Sequence, residues 1–288
     1  MKKHLMNVML CMTLLVGGCG GGDEVVNTND TATDTTAGSE GTDTTATADA
    51  VETPVETPPP PAPARVRVIH ASPDAAAAAV AIYVDGSATP AIPSLAYKAA
   101  TAYADMPGGA HQVAVRPAAA AADSAPVLQG PTPELAAGTS YTVIAHGLAS
   151  GTPALALAAA ADDGPAPDAT HASIRFFHAL VGVANVDVCV PGATARAAGT
   201  PVFTNVAYGA FGAWANVAAG AAVTLQIRAA NEATPCSGRQ AGSVSITPTT
   251  GVWTAVAVGR ATGRPAVAKE LLLVADGASE VTTVAIGR

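Results

Sequence analysis

The sequence predicts an all-β protein: two tandem antiparallel β-sandwich domains carried behind a disordered tether. Three observations lead there. The part of the chain after the tether repeats itself at a steady offset of 106 to 112 residues. Within each copy the apolar period is two rather than 3.6. Runs rich in Val, Ile and Thr are divided by breaker clusters such as Asp85-Gly86, Pro107-Gly108-Gly109 and Gly151-Thr152-Pro153. Roughly 100 residues holding six to eight short strands suit a sandwich of immunoglobulin-like type.

The N-terminus reads as an address. Lys2 and Lys3 form a positive start, and Leu5 to Val16 form an apolar run of about a dozen residues. That run is too short to cross a bilayer core of about 30 Å. It ends in Leu14-Leu15-Val16-Gly17-Gly18-Cys19, the pattern of a bacterial lipobox. Residues 1–18 are therefore expected to be a lipoprotein signal peptide and Cys19 the lipidated new N-terminus. An ordinary signal peptide or a short anchor is the alternative. By resemblance to lipoproteins of double-membrane bacteria, Gly20 after the cysteine favours the outer membrane, on its periplasmic or its surface-exposed side.

Residues 19–64 are low in complexity: Gly, Thr, Asp, Glu and Ala, then Pro58-Pro59-Pro60-Pro61. Almost no large apolar residue is present to offset the entropy of ordering, so a disordered acidic tether is expected. Nine acids and no Lys or Arg lie in residues 20–64, whereas residues 65–288 hold 13 acids and 12 bases. The folded part is close to neutral and has no basic footprint for nucleic acid.

The copies are placed at 65–165 and 168–288. The first opens Val66-Arg67-Val68-Ile69-His70-Ala71, the second Ile174-Arg175-Phe176-Phe177-His178-Ala179. Val80-Ala81-Ile82-Tyr83-Val84-Asp85-Gly86 matches Val186-Asp187-Val188-Cys189-Val190-Pro191-Gly192. Val113-Ala114-Val115-Arg116 falls on Leu225-Gln226-Ile227-Arg228, and Pro153 on Pro265. The chain is 49% hydrophobic but only 4% aromatic, so the cores are expected to be built from Ala, Val, Ile and Leu. Alanine stretches at Ala75–Ala79 and Ala118–Ala122 favour helix by propensity. They are short and lie between strand signals, so helix is rejected for most of them.

The stretch Arg65-Val66-Arg67-Val68-Ile69-His70-Ala71-Ser72-Pro73-Asp74-Ala75, with Val80 to Gly86 after it, resembles the opening of the domain-of-unknown-function family numbered 4397. Its members are often exported bacterial proteins, frequently with tandem copies. The resemblance covers about residues 65–162. The second copy, about 171–276, departs from it: His178-Ala179-Leu180-Val181 stands where the family has His-Ala-Ser-Pro-Asp. The resemblance implies a fold and an exported location, and no activity.

Several residues are weighed for chemistry. His70 and His178 recur at the same place. They are read either as a metal or proton-transfer site, with Asp74, or as strand-end residues bonded to a turn. The second reading is preferred because the second copy lacks the Asp and coordination needs three or four convergent ligands. Tyr97 and Tyr103, with Tyr208 and Trp214, are either an aromatic ligand platform or core anchors. Cys189 and Cys236 are expected to pair in an oxidising compartment, two free thiols being the alternative. By strand parity Cys189 should face outward, toward the loop carrying Cys236.

No catalytic elbow, recurring carboxylate pair, phosphate loop or zinc-helix motif is found, so no catalytic residue, metal or cofactor is assigned. The expected function is a lipid-anchored, non-catalytic binding, adhesion or structural module of the cell envelope. Its expected partners are the membrane, through acyl chains, and an envelope polysaccharide or protein. The alternative is a carbohydrate- or small-ligand-binding lipoprotein, and a hydrolase is disfavoured.

Overall fold

The computed structural model describes residues 62–74, 78–194, 197–263 and 266–287. The export signal, Cys19, nearly all of the tether, Ala75–Ala77 and Pro265 lie outside the described residues. The described residues belong to one compact unit and are all-β, with seventeen strands and no helix among them.

The first sandwich comprises β1 (Ala64–His70), β2 (Ala79–Val84), β3 (Ile92–Ala96), β4 (Ala104–Met106), β5 (Gln112–Pro117), β6 (Leu128–Pro131), β7 (Ser140–His146) and β8 (Ala156–Ala161). One sheet runs β3-β2-β5-β6 and the other β4-β1-β7-β8. The second sandwich comprises β9 (His171–Val181), β10 (Val186–Val190), β11 (Thr200–Val206), β12 (Ala215–Ala218), β13 (Val223–Ala229), β14 (Gln240–Ile246), β15 (Gly251–Arg260), β16 (Val267–Ala275) and β17 (Val281–Ala285). Its sheets run β11-β10-β13-β14 and β12-β9-β15-β16-β17. The strand order of the first sandwich is thus repeated in the second, with β17 added at one edge.

One feature departs from a purely antiparallel arrangement. β1 pairs with β7 in parallel, Arg65 opposite Ser140 through His70 opposite Ala145. β9 pairs with β15 in the same sense. A parallel pair needs a long crossover, and here the intervening strands of the other sheet supply it.

The alternation read from sequence is present and explains each core. Val66, Val68, Val80, Ile82, Val113, Val115 and Val143 meet inside the first sandwich. Ile174, Phe176, Val186, Val188, Leu225, Ile227 and Leu271 meet inside the second. Ala118 to Ala122 lie in turns and bends, Ala120 N–H closing on Pro117 O. Alanine-rich β8 is a strand because its backbone is paired along β7, a tertiary constraint that overrides helix propensity.

The opposite faces of the β1/β7 and β9/β15/β16 sheets are buried as well. Ile69, Ile144, Phe177, Ala179, Val256, Val258, Leu272 and Val274 form a third core. The two sandwiches therefore stack through these sheets, and their central strands are covered on both faces.

Candidate functional site

The seam between the sandwiches gathers the unusual chemistry of the molecule. Arg67 and Arg175 occupy equivalent places on β1 and β9, and each is almost fully buried. Both alternate with core residues, so the pleat turns them away from their own sandwich and into the seam. Arg67 Nε donates to Thr142 Oγ1 at 2.8 Å. Its Nη1 donates to Ala275 O at 2.7 Å and its Nη2 to Thr254 Oγ1 at 3.1 Å, both across the seam. Arg175 mirrors this: Nε donates to Thr254 Oγ1 at 3.1 Å and Nη1 to Ala161 O at 2.9 Å. Its Nη2 pairs with Asp162, whose side chain is as buried as the guanidinium. Thr142 Oγ1 donates to the same carboxylate at 2.9 Å. The first sandwich's Arg67 reaches the carbonyl at the end of β16 in the second, and the second sandwich's Arg175 reaches the carbonyl at the end of β8 in the first. This reciprocity is that of a two-fold interface built inside one chain.

The four aromatic residues fall into two pairs around this seam, one at the arginines and one at the histidines. Tyr103 lies under the guanidinium groups of Arg65 and Arg67, 4.9 and 5.1 Å from its ring centre. Its hydroxyl meets Asp162 and Asp276, and burial with those carboxylates pushes its ionisation upward. Trp214 carries Arg175 at 4.9 Å. The linker packs on the indole at Gly164, where a Cβ would come within 2.8 Å of the ring. Tyr97 and Tyr208 lie at the two histidines instead. Tyr97 packs edge-on to His70, and Tyr208 edge-on to His178 and His146. Burial raises the Tyr97 hydroxyl above its ordinary value and Tyr208 to about 12.

His70 and His178 each accept a backbone N–H two residues on at Nδ1, from Ser72 at 3.4 Å and Leu180 at 3.3 Å. His178 Nε2 meets Ala184 O at 3.0 Å, so Nε2 carries the proton. Asp74 accepts N–H from Ala149 at 2.9 Å. No group of three metal-ligating side chains occurs among the described residues. His146 is a further buried histidine, with no motif of its own in the sequence. It lies against Phe177 and Tyr208, and desolvation lowers its pKa to about 4. Gly209, at φ +75°, is required there because a Cβ would stand 2.6 Å from His146 Cε1. Its lack of a counterpart, Val258 standing at the equivalent place, was the available signal.

Cys189 and Cys236 form a disulfide. Cys189 points away from the sandwich core, as parity requires, yet it is fully buried because the loop carrying Cys236 covers it. Asp187, on the same face of β10, accepts N–H from Asn205, Asn231 and Cys236 at 2.9, 3.2 and 2.9 Å. The first sandwich has Ala81 and Tyr83 at these places. There Arg116 stacks on Tyr83 at 4.5 Å and donates to Ser124 O at 2.7 Å.

Two hollows complete the description. A cleft of about 590 Å³ at one end of the second sandwich is lined by Asn185, Arg239, Gln240, Thr262 and Lys269 together with Val183 and several alanines. An apolar cavity of about 330 Å³ lies between the sheets of the first sandwich, with Tyr103 on its wall. No curated protein matches the chain. Residues 64–189 match the family model described as Domain of unknown function (DUF4397), a span that begins on the first residue of β1 and ends within β10.

Proposed function

We propose that the protein is a lipid-anchored component of the cell envelope, held off the outer membrane by its tether and acting as a non-catalytic binding, adhesion or structural module. Its two sandwiches are diverged tandem copies of one domain. The observation that carries this reading is the seam. Arg67, Arg175, Asp162 and Tyr103 spend their hydrogen-bonding capacity on joining the copies. His178 spends its own on nearby backbone, and His70 Nδ1 accepts the N–H of Ser72. Groups held in this way stiffen a joint and are poorly placed to move protons to a substrate.

The anchor is tested by Cys19→Ala. The variant should lose labelled palmitate and leave the membrane fraction, and retention of both label and membrane would refute lipidation. The module reading is tested by cross-linking in intact cells. The wild-type protein should be trapped on an envelope polysaccharide or protein, and turnover of ester or glycoside substrates by the purified chain would overturn it. Small-ligand binding stands as a second reading because of the apolar cavity.

A further inference from the structure

The two sandwiches share a strand order but not a filled core. In the second, the space between the sheets is reduced to a void of about 10 Å³. In the first, a cavity of about 330 Å³ remains. A second hollow of about 240 Å³ shares Thr132, Val143 and Leu157 with it. The cause is side-chain volume at equivalent places. Val68 on β1 stands where β9 has Phe176. Ile92, paired with Ile82, stands where Phe203 pairs with Val188. Ala159 on β8 stands where β16 has Leu273. Phe176 and Phe203 stack in the second core with ring centres 5.7 Å apart. Ile286, after β17, adds a further plug to that core.

A sandwich that follows the same plan as its neighbour yet leaves this much space has lost dispersion contacts along the whole lining. Small core voids are ordinary, whereas a cavity above about 300 Å³ is in the range of ligand sites. The walls are aliphatic, with Val66, Val68, Ile82, Val113, Val143 and Leu157 at their centre, and no lining residue is charged. Ala91, Ala102 and Ala104 also line it and are exposed, which places the mouth beside β3 and β4.

We propose that the first sandwich is a binding site for a neutral, hydrocarbon-like small molecule. The volume is about twice the ~150 Å³ that accepts benzene, so the ligand has roughly a dozen non-hydrogen atoms. A medium-length alkyl chain or a two-ring aromatic meets that description. A charged ligand is disfavoured because the lining offers nothing to offset its desolvation. The second sandwich, filled by its own phenylalanines, has no such site.

The test uses the full-length Cys19→Ala protein, purified without detergent, and 1-aminonaphthalene as a neutral fluorescent probe. Binding should saturate with Kd on the order of 100 µM, a scale ordinary for so small a ligand. Saturating probe should also raise the melting temperature. Val68→Phe and Ile92→Phe each import the residue that the second sandwich carries. Either should weaken binding at least tenfold and abolish the probe-induced shift. If one variant fails to fold, the other decides. Absence of saturable binding in the parent protein, or undiminished binding in a variant that melts normally, would overturn the proposal.

Discussion

His146 is a base held where a charge is unwelcome. Its ring lies among Phe177 and Tyr208, and burial alone brings its pKa from 6.5 to about 4. The unfolded chain therefore binds this proton more readily than the folded one. The stability it withholds is fully available above about pH 6.5 and is lost as pH falls toward 4. The loss is on the order of 3 kcal/mol. His178, also lowered by burial, acts in the same direction. Denaturant melts should show stability falling between pH 6.5 and 4, and His146→Val should flatten that fall. An unchanged slope in the variant would assign the acid sensitivity elsewhere. His111 has the opposite sign. Asp85, 2.7 Å from Nδ1, raises its pKa, and His111 in turn lowers that of Asp85. Its contribution is present below about pH 6.5 and is lost as pH rises through the raised value. Asp85→Asn should bring the His111 titration, followed by NMR, back toward 6.5.

The loop between β13 and β14 is held by a covalent clip and by the buried carboxylate of Asp187. The disulfide closes a separation of 47 residues. The chain-entropy model gives such a loop about 4 kcal/mol. Reduction with dithiothreitol should lower the melting temperature on the order of 10 °C. Cys189→Ala/Cys236→Ala should reproduce the reduced value and lose the response to reductant. A melting curve indifferent to dithiothreitol, with two-hydrogen mass gain verified, would show that Asp187 and packing suffice. In the first sandwich the corresponding face relies on Arg116 over Tyr83, so that element should be blind to reductant.

The seam makes the two sandwiches one body. Arg175→Ala would leave the Asp162 carboxylate buried without its cation, which typically costs about 3–5 kcal/mol. Asp162→Asn in the same background should recover part of that loss, which a double-mutant cycle measures. The fragments 62–165 and 168–288 are both expected to give β-type circular dichroism. Each also uncovers an apolar face, Ile69 and Ile144 in one, Phe177, Val256 and Leu272 in the other. Sedimentation should show them self-associating when alone and pairing when mixed. Two monomers indifferent to each other would mean that the seam adds little.

The strands, their alternation and the pairing of Cys189 with Cys236 were legible because they are local or nearly so. A period of two is written into consecutive residues, and so is the parity that aims Cys189 away from the core. The seam was not legible. Ile69 and Ile144 follow the same pleat as an outward-facing residue, and nothing in β1 or β7 by itself says that a second sheet covers that face. The burial of Arg67 and Arg175 had no sequence signal, because an isolated strand pattern cannot announce partners such as Ala275 and Ala161 more than a dozen residues away. For the aromatic residues the sequence left a ligand platform and core anchors open. Their division follows from the two-fold stacking, which carries Tyr103 and Trp214 to the arginines and Tyr97 and Tyr208 to the histidines. The cavity is of the same kind: Val68 beside Phe176 is a difference visible in the chain, but whether neighbours collapse into the missing volume is settled by packing in three dimensions. Local chemistry thus dictates which face of each strand is apolar, while burial of a second face depends on contacts between residues distant in the chain.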